Sequence, residues 1–128
     1  MLESILNPSI ALQEPWLSIT APGEVFSSTD QSGKWLVYRP PETIDKAWIQ
    51  VLALVSTNGL SCAKVSTRQG ILVGYAEHVI CVYTRSWRAR KEVMRVREVL
   101  RNAGFTERLR YKRDVDTMHG RDRFTYEA

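Results

Sequence analysis

Three short strand-like runs carry polar side chains where strands ordinarily carry apolar ones. They are Lys64-Val65-Ser66-Thr67, His78-Val79-Ile80-Cys81-Val82-Tyr83-Thr84 and Tyr111-Lys112-Arg113-Asp114. A polar group inside a strand faces water or a site, because burying it without a partner is costly. Brought to one sheet face, these side chains suit a phosphorylated ligand. Lys64, Ser66, His78, Arg110 and Lys112 are phosphate-holding types that make charge-assisted hydrogen bonds to anionic oxygens, and Thr67 extends the same run. Lys64 is the sharpest of them. Set between Ala63 and Val65, its amine requires either a carboxylate, for which Asp114 is a candidate, or an anionic ligand. His78 is of the type that serves as a general acid or a phosphate donor. Trp35 and Tyr83 are candidates to contact a base or an apolar ligand portion, and Trp16 is a second indole placed to stack on one.

A chain of 128 residues, with 44% hydrophobic and 25% charged residues, reads as one soluble globular domain. Residues 1–32 form an N-terminal arm and 33–128 the α+β body. Cys62 and Cys81 alone support neither a disulfide framework nor a zinc site, and both fall in strands, as buried thiols in a reducing compartment do. The apolar runs are too short to cross a bilayer. Met1 to Pro8 lack a basic start followed by an apolar stretch, so no secretory signal is expected. The expected location is cytoplasmic, with no membrane partner. No GxGxxG, P-loop, metal-ligand cluster or Ser-His-Asp arrangement occurs, so no cofactor and no metal are expected.

Charge is unevenly distributed. Arg85 to Arg113 hold 11 Lys/Arg against 3 Glu, whereas the rest of the chain holds 7 basic and 11 acidic residues. Such asymmetry suits a polyanion or a solvated helix face.

The elements that must position these residues follow from periodicity. Lys34–Tyr38 is a β-branched and aromatic strand closed by Pro40-Pro41. Ile44, Ala47, Trp48, Val51, Leu52 and Val55 repeat at helical spacing from about Thr43 to Thr57, and Asn58-Gly59 stops that helix. Strands follow at Leu60–Thr67 and Glu77–Thr84, joined by an irregular connection through Gly70 and Gly74. A second helix spans about Trp87 to Asn102, with Ser86 as its candidate cap and Gly104 as its stop. Arg108–Asp114 is the next strand, and short strands are expected at Trp16–Thr20 and near Phe124–Tyr126. Strand, helix, strand, strand, helix, strand is the split βαβ order. It implies an α+β fold with an antiparallel sheet and two helices on one face.

Strand alternation then sorts the side chains. Ala63, Val65, Ile80, Val82, Leu109 and Tyr111 meet the helices. Lys64, Ser66, Cys81, Tyr83, Arg110, Lys112 and Asp114 face away from them.

The blocks Gly33-Lys34-Trp35-Leu36-Val37, Ala47-Trp48, Ala63 to Thr67, His78 to Thr84 and Tyr111 to Asp114, with Thr117 and Gly120, resemble the Bles family. This is the basophilic-leukaemia-expressed protein family, a domain of uncertain function. The resemblance runs from about Trp16 to Gly120. It implies a fold similar to the cap-binding translation initiation factor 4E, a curved antiparallel sheet backed by helices. Some bacterial relatives bear a phosphothreonine-lyase label, which implies a lysine base and a histidine acid; Lys64 and His78 are the matching types.

The expected function is a non-catalytic module that binds a nucleotide or another small phosphorylated ligand in a pocket on the helix-free face, in one form sequestering a signalling nucleotide. The first alternative is a phosphothreonine-lyase-like or other phosphate-handling enzyme using Lys64 and His78. The second is RNA binding through Arg88, Arg90, Arg95, Arg97 and Arg101.

Overall fold

Alternating burial along each strand builds the architecture. In the computed structural model, which describes residues 6–74 and 77–128, six strands form one sheet. They are β1 (Trp16–Thr20), β2 (Gly33–Arg39), β3 (Cys62–Ser66), β4 (His78–Thr84), β5 (Arg110–Arg113) and β6 (Tyr126–Glu127). Their spatial order is β1-β3-β4-β2-β5-β6, with every pairing antiparallel. The inner order β3-β4-β2-β5 is that of a split βαβ unit. The arm contributes β1 as an added edge strand, paired with β3 from Trp16↔Ser66 to Thr20↔Cys62.

Helix α1 (Pro41–Ser56) begins with proline at its first turn, where the missing N–H is not needed. It buries the stripe Ile44, Ala47, Trp48, Val51, Leu52 and Val55. Asn58, at φ 62°, supplies the left-handed stop. Helix α2 (Arg68–Leu72) occupies the stretch expected to be an irregular connection, because the Thr67 side chain accepts from the Gly70 N–H and caps it. Helix α3 (Arg90–Asn102) starts later than expected, and Ala89 rather than Ser86 is its cap. The Trp87 N–H instead donates to the Gln31 carbonyl, holding residues 87–89 in a turn. A further short helix, α4 (Asp114–Met118), takes over where β5 was expected to end.

The main core lies between the sheet and α1 and α3. It contains Ala63, Val65, Ile80, Val82, Leu109 and Tyr111, as alternation requires, together with Trp35, Val37 and Phe105. Trp35 is fully buried, at 0% exposure, and its indole Nε1 donates to the Val93 carbonyl of α3. The expectation that Trp35 meets a ligand is therefore corrected. Lys34 and Leu36 alternate with Trp35 and Val37, so Trp35 points to the helix side. Arg97 of α3 is also buried, and its guanidinium donates to the carbonyls of Ala128, Phe105 and Glu107.

The other sheet face is not bare. Leu36, Cys62, Cys81 and Tyr83 form a second, smaller cluster under Trp16, Phe26, Val79 and Phe124. At its edge sits the most demanding interaction of the fold. Lys34, only 5% exposed, donates from Nζ to Asp114 Oδ1 at 2.6 Å and to Thr117 Oγ1 at 2.6 Å. The second oxygen, Asp114 Oδ2, accepts from Ser32 at 2.6 Å and Ser28 at 2.7 Å. Asp114 is thus the partner of Lys34 and not of Lys64. The reason is topological: β4 and β2 separate β3 from β5, so Lys64 and Asp114 stand about three strand spacings apart, roughly 14 Å.

Two residues on, buried Asp116 takes two bonds from Arg113 at 2.8 and 3.0 Å and one from Arg123 at 3.1 Å. The Arg113 hydrogen bonds hold the Asp116 carboxyl well below the usual carboxylate range, against the opposing effect of burial. A depressed folded pKa gives stability that is present above the unfolded carboxylate value and lost as pH falls through the folded one.

Three outcomes follow for stability. Asp114→Ala strands the Lys34 ammonium beneath the face and lowers unfolding free energy by about 3–5 kcal/mol in urea titration. Gly33→Ala places a Cβ 2.6 Å from Tyr111 Cε1, and the forced shift costs about 1–3 kcal/mol by the same measurement. Asp116→Asn costs roughly 2 kcal/mol at neutral pH. That deficit shrinks as pH falls below about 4, where the unfolded carboxyl protonates, so the two urea midpoints converge in acid.

Candidate functional site

The strands end in two hollows that share one wall. At the end where β2 leaves the sheet and β4 enters it, Arg39 pairs with His78. Beyond this pair, Tyr38, Arg39, Pro40, Pro41, Arg68, Ile71, Glu77 and His78 enclose a cavity of about 340 Å³. Each wall has a local cause. Pro40-Pro41 turns the chain from β2 into α1, Thr67 caps α2 so that Arg68 and Ile71 stand at the end of β3, and Glu77 leads into β4.

The polar groups of this cavity are fixed but not all occupied. His78 Nδ1 lies 2.9 Å from the Ser66 carbonyl oxygen. A carbonyl only accepts, so Nδ1 carries a proton, and Nε2 has no hydrogen-bond partner among the described residues. Arg68 is exposed and has no carboxylate within ion-pair distance among the described residues. Arg39 is held by Glu107 and lies over the Phe105 ring. Tyr38 is 48% exposed, an aromatic surface with a hydroxyl at its tip, and partial burial is the main cause that moves that hydroxyl above the ordinary tyrosine value.

The second hollow, about 600 Å³, lies on the helix-free side between Leu36, Tyr38, Arg110, Asp122 and Phe124. Glu77, Glu107 and Asp122 put three carboxylates around it, and Arg108 and Arg110 are drawn to Glu127 at 3.0 and 3.8 Å. That balance opposes an anion.

The expected site residues are distributed over several places. His78 lines the first cavity and Arg110 the second. Lys64 projects from the helix-free face with its Nζ 4.1 Å from the Trp16 ring centroid and 5.9 Å from that of Tyr83, a cation–π seat. Among the described residues no carboxylate pairs with it. Lys112 is half-buried beside Phe124. Ser66 Oγ accepts from the Val79 N–H at 2.8 Å, and Thr67 Oγ1 donates to the Glu14 carbonyl, so both hydroxyls hold the backbone. Tyr83 is buried against Phe26, with ring centroids 5.2 Å apart, and burial drives its hydroxyl far above the ordinary tyrosine range. Burial likewise pushes the Cys81 thiol up to about 11, which keeps it protonated and unreactive.

The pairing Val65↔Ile80 puts Lys64 on the face opposite to His78. The lysine–histidine, base–acid pair of the enzyme alternative is not brought together. The arginine-helix alternative is also altered, because Arg97 is internal while Arg95 and Arg101 are paired with Glu92 and Glu98. Tyr38, Arg39, Arg68 and Glu77 escaped sequence reasoning. The available signal was their position at strand ends, beside Pro40-Pro41 and the Thr67 cap. Among the described residues no group of three or more His, Cys, Asp or Glu is arranged for a metal, and no helix is long and apolar enough to cross a membrane.

Residues 27–119 match the family described as "Basophilic leukemia-expressed protein Bles03", and the chain belongs to that family. Its fold is that of eIF4E-3 proteins. C. elegans eIF4E-3 bound to the 4E-binding protein Mextli and a cap analog superposes with TM-score 0.65 at 21% identity, over 90% of this chain and 72% of that one. The C. elegans complex with Mextli alone gives 0.60 at 22% identity, over 77% and 59%. Ascaris suum eIF4E-3 with an m2,2,7G cap gives 0.51 at 21%, over 65% and 51%.

Proposed function

We propose that this member of the Bles03 family is a non-catalytic binding module for a nucleotide or another small phosphorylated ligand, seated in the cavity between Tyr38, Arg68 and His78. The observation that carries the reading is the combination inside one 340 Å³ hollow of an arginine with no carboxylate partner among the described residues and a histidine whose Nδ1 is held by the Ser66 carbonyl. The guanidinium supplies planar, bidentate donors for phosphate oxygens. The half-exposed Tyr38 ring offers a stacking surface for a base. Glu77 supplies an acceptor for a base amino or imino edge. Pro40 and Pro41 add rigid apolar walls, as ligand pockets generally have. The cap ligands in two of the similar eIF4E-3 structures support a nucleotide over other phosphate esters.

Isothermal titration with GTP, ATP and inorganic phosphate tests this. At least one nucleotide binds, and Arg68→Ala weakens it by about ten- to a hundredfold, the range for one hydrogen-bonded charge. His78→Ala and Tyr38→Ala also weaken it, whereas Lys64→Ala, on the other face, leaves the dissociation constant unchanged. Failure of all three probes to bind, or loss of binding in Lys64→Ala with Arg68→Ala unaffected, overturns the assignment.

A further inference from the structure

The strongest feature outside this cavity lies at the opposite end of the sheet, roughly 20 Å away along the seven residues of β2. Here the Trp87 ring has Arg88 at 4.8 Å and Arg113 at 4.7 Å from its centroid. Arg113 continues to Asp116, on which Arg121 and Arg123 also converge at 3.5 and 3.1 Å. On the other side, the Tyr126 hydroxyl donates to the Trp87 carbonyl, and Arg90 lies 5.2 Å from the Tyr126 ring centroid. The result is a connected row of five arginines built around two aromatic rings.

One buried carboxylate does not account for this row. Asp116, whose side chain is 0% exposed, accepts from Arg113, Arg121 and Arg123, and its single charge cannot neutralise three guanidiniums. Arg121 and Arg123 each add a single bond and remain 48% and 61% exposed, so most of their N–H donors point to solvent. Like charges held this close repel one another. Asp122, between Arg121 and Arg123 in the sequence, lines the second hollow, and exposed Asp30 gives its carbonyl to the Trp87 indole; with Asp116 these are three carboxylates against five guanidiniums, and the row stays net positive. Five guanidiniums spread from Arg90 through Arg88 to the Arg113, Arg121 and Arg123 group match several phosphates of a chain better than a single phosphate group. Bases stack on guanidinium planes as well as on aromatic rings, and the guanidiniums of Arg88, Arg113 and Arg90 are already seated on Trp87 and Tyr126.

We propose that the arginine row along Arg90, Arg88, Arg113, Arg123 and Arg121 binds the phosphate backbone of single-stranded RNA. Of α3 the row uses only Arg90, at its first position; Arg95, Arg97 and Arg101 are engaged within the protein. It stands independently of the nucleotide cavity.

Fluorescence anisotropy with a labelled single-stranded oligouridylate across a salt series is the test. Contact with about three phosphates gives a slope of log K against log salt of about −2 for a single strand. Arg121→Gln/Arg123→Gln lowers affinity about tenfold or more and makes the slope shallower by about 1.4. Arg88→Gln, at a residue that pairs with no carboxylate among the described residues, weakens binding in the same direction and guards against a folding artefact. Arg101→Gln, a charge control on α3, changes neither. Nucleotide titration of the same variants reads the cavity separately and stays unchanged. Absence of oligonucleotide binding, an unaltered slope in the variants, or binding of a phosphoserine peptide in place of RNA overturns the proposal.

Discussion

The buried Lys34–Asp114 pair is the constraint around which the rest is arranged. An ion pair beneath a sheet face persists only when its remaining lone pairs and protons are satisfied. Here Thr117 takes up the ammonium, and Ser28 and Ser32 take up the second carboxylate oxygen. The five side chains, Ser28, Ser32, Lys34, Asp114 and Thr117, come from three separate places: the loop before β2, β2 itself, and α4. One electrostatic requirement therefore pins the arm's final loop and the start of α4 against the same edge. The Asp114 backbone N–H adds to this by donating to the Ser32 carbonyl at 2.9 Å. The helix-free face is closed at that end, and its open hollows are displaced toward the other.

That displacement separates residues that maintain the fold from those left for a ligand. Ser66, Thr67, Asp114 and Tyr83 have polar atoms committed to internal partners or are buried. Lys64 rests its charge on Trp16. Arg68, Tyr38 and Glu77 are comparatively unencumbered, and they meet beyond the strand ends, where the backbone turns and side chains converge from unrelated elements. Binding residues commonly sit on such turns, positioned by a rigid scaffold.

Much of the fold was legible because alternation is strict within a strand. The six residues assigned to the helix side all lie in the main core. Trp35 failed because the same alternation was not carried into β2, where Lys34 and Leu36 fix the opposite parity. The Lys34–Asp114 pairing was available too, since split βαβ topology sets the first strand beside the last, and the register places Lys34 opposite Lys112. The cavity was harder to read. Arg39, Arg68 and Glu77 fall outside the strand interiors, where no two-residue repeat constrains direction. Their meeting depends on a five-residue helix whose only cue was a threonine three positions before a glycine.

Tyr38 lines both hollows at the strand ends. Glu77 lines both as well, and a ring common to two linings cannot yield space to one without taking it from the other. Any occupant that presses the phenol aside on one side narrows its neighbour, and reciprocity requires the second to resist the first by the same free energy. The two hollows are thus linked through the side chains they hold in common, Tyr38 and Glu77.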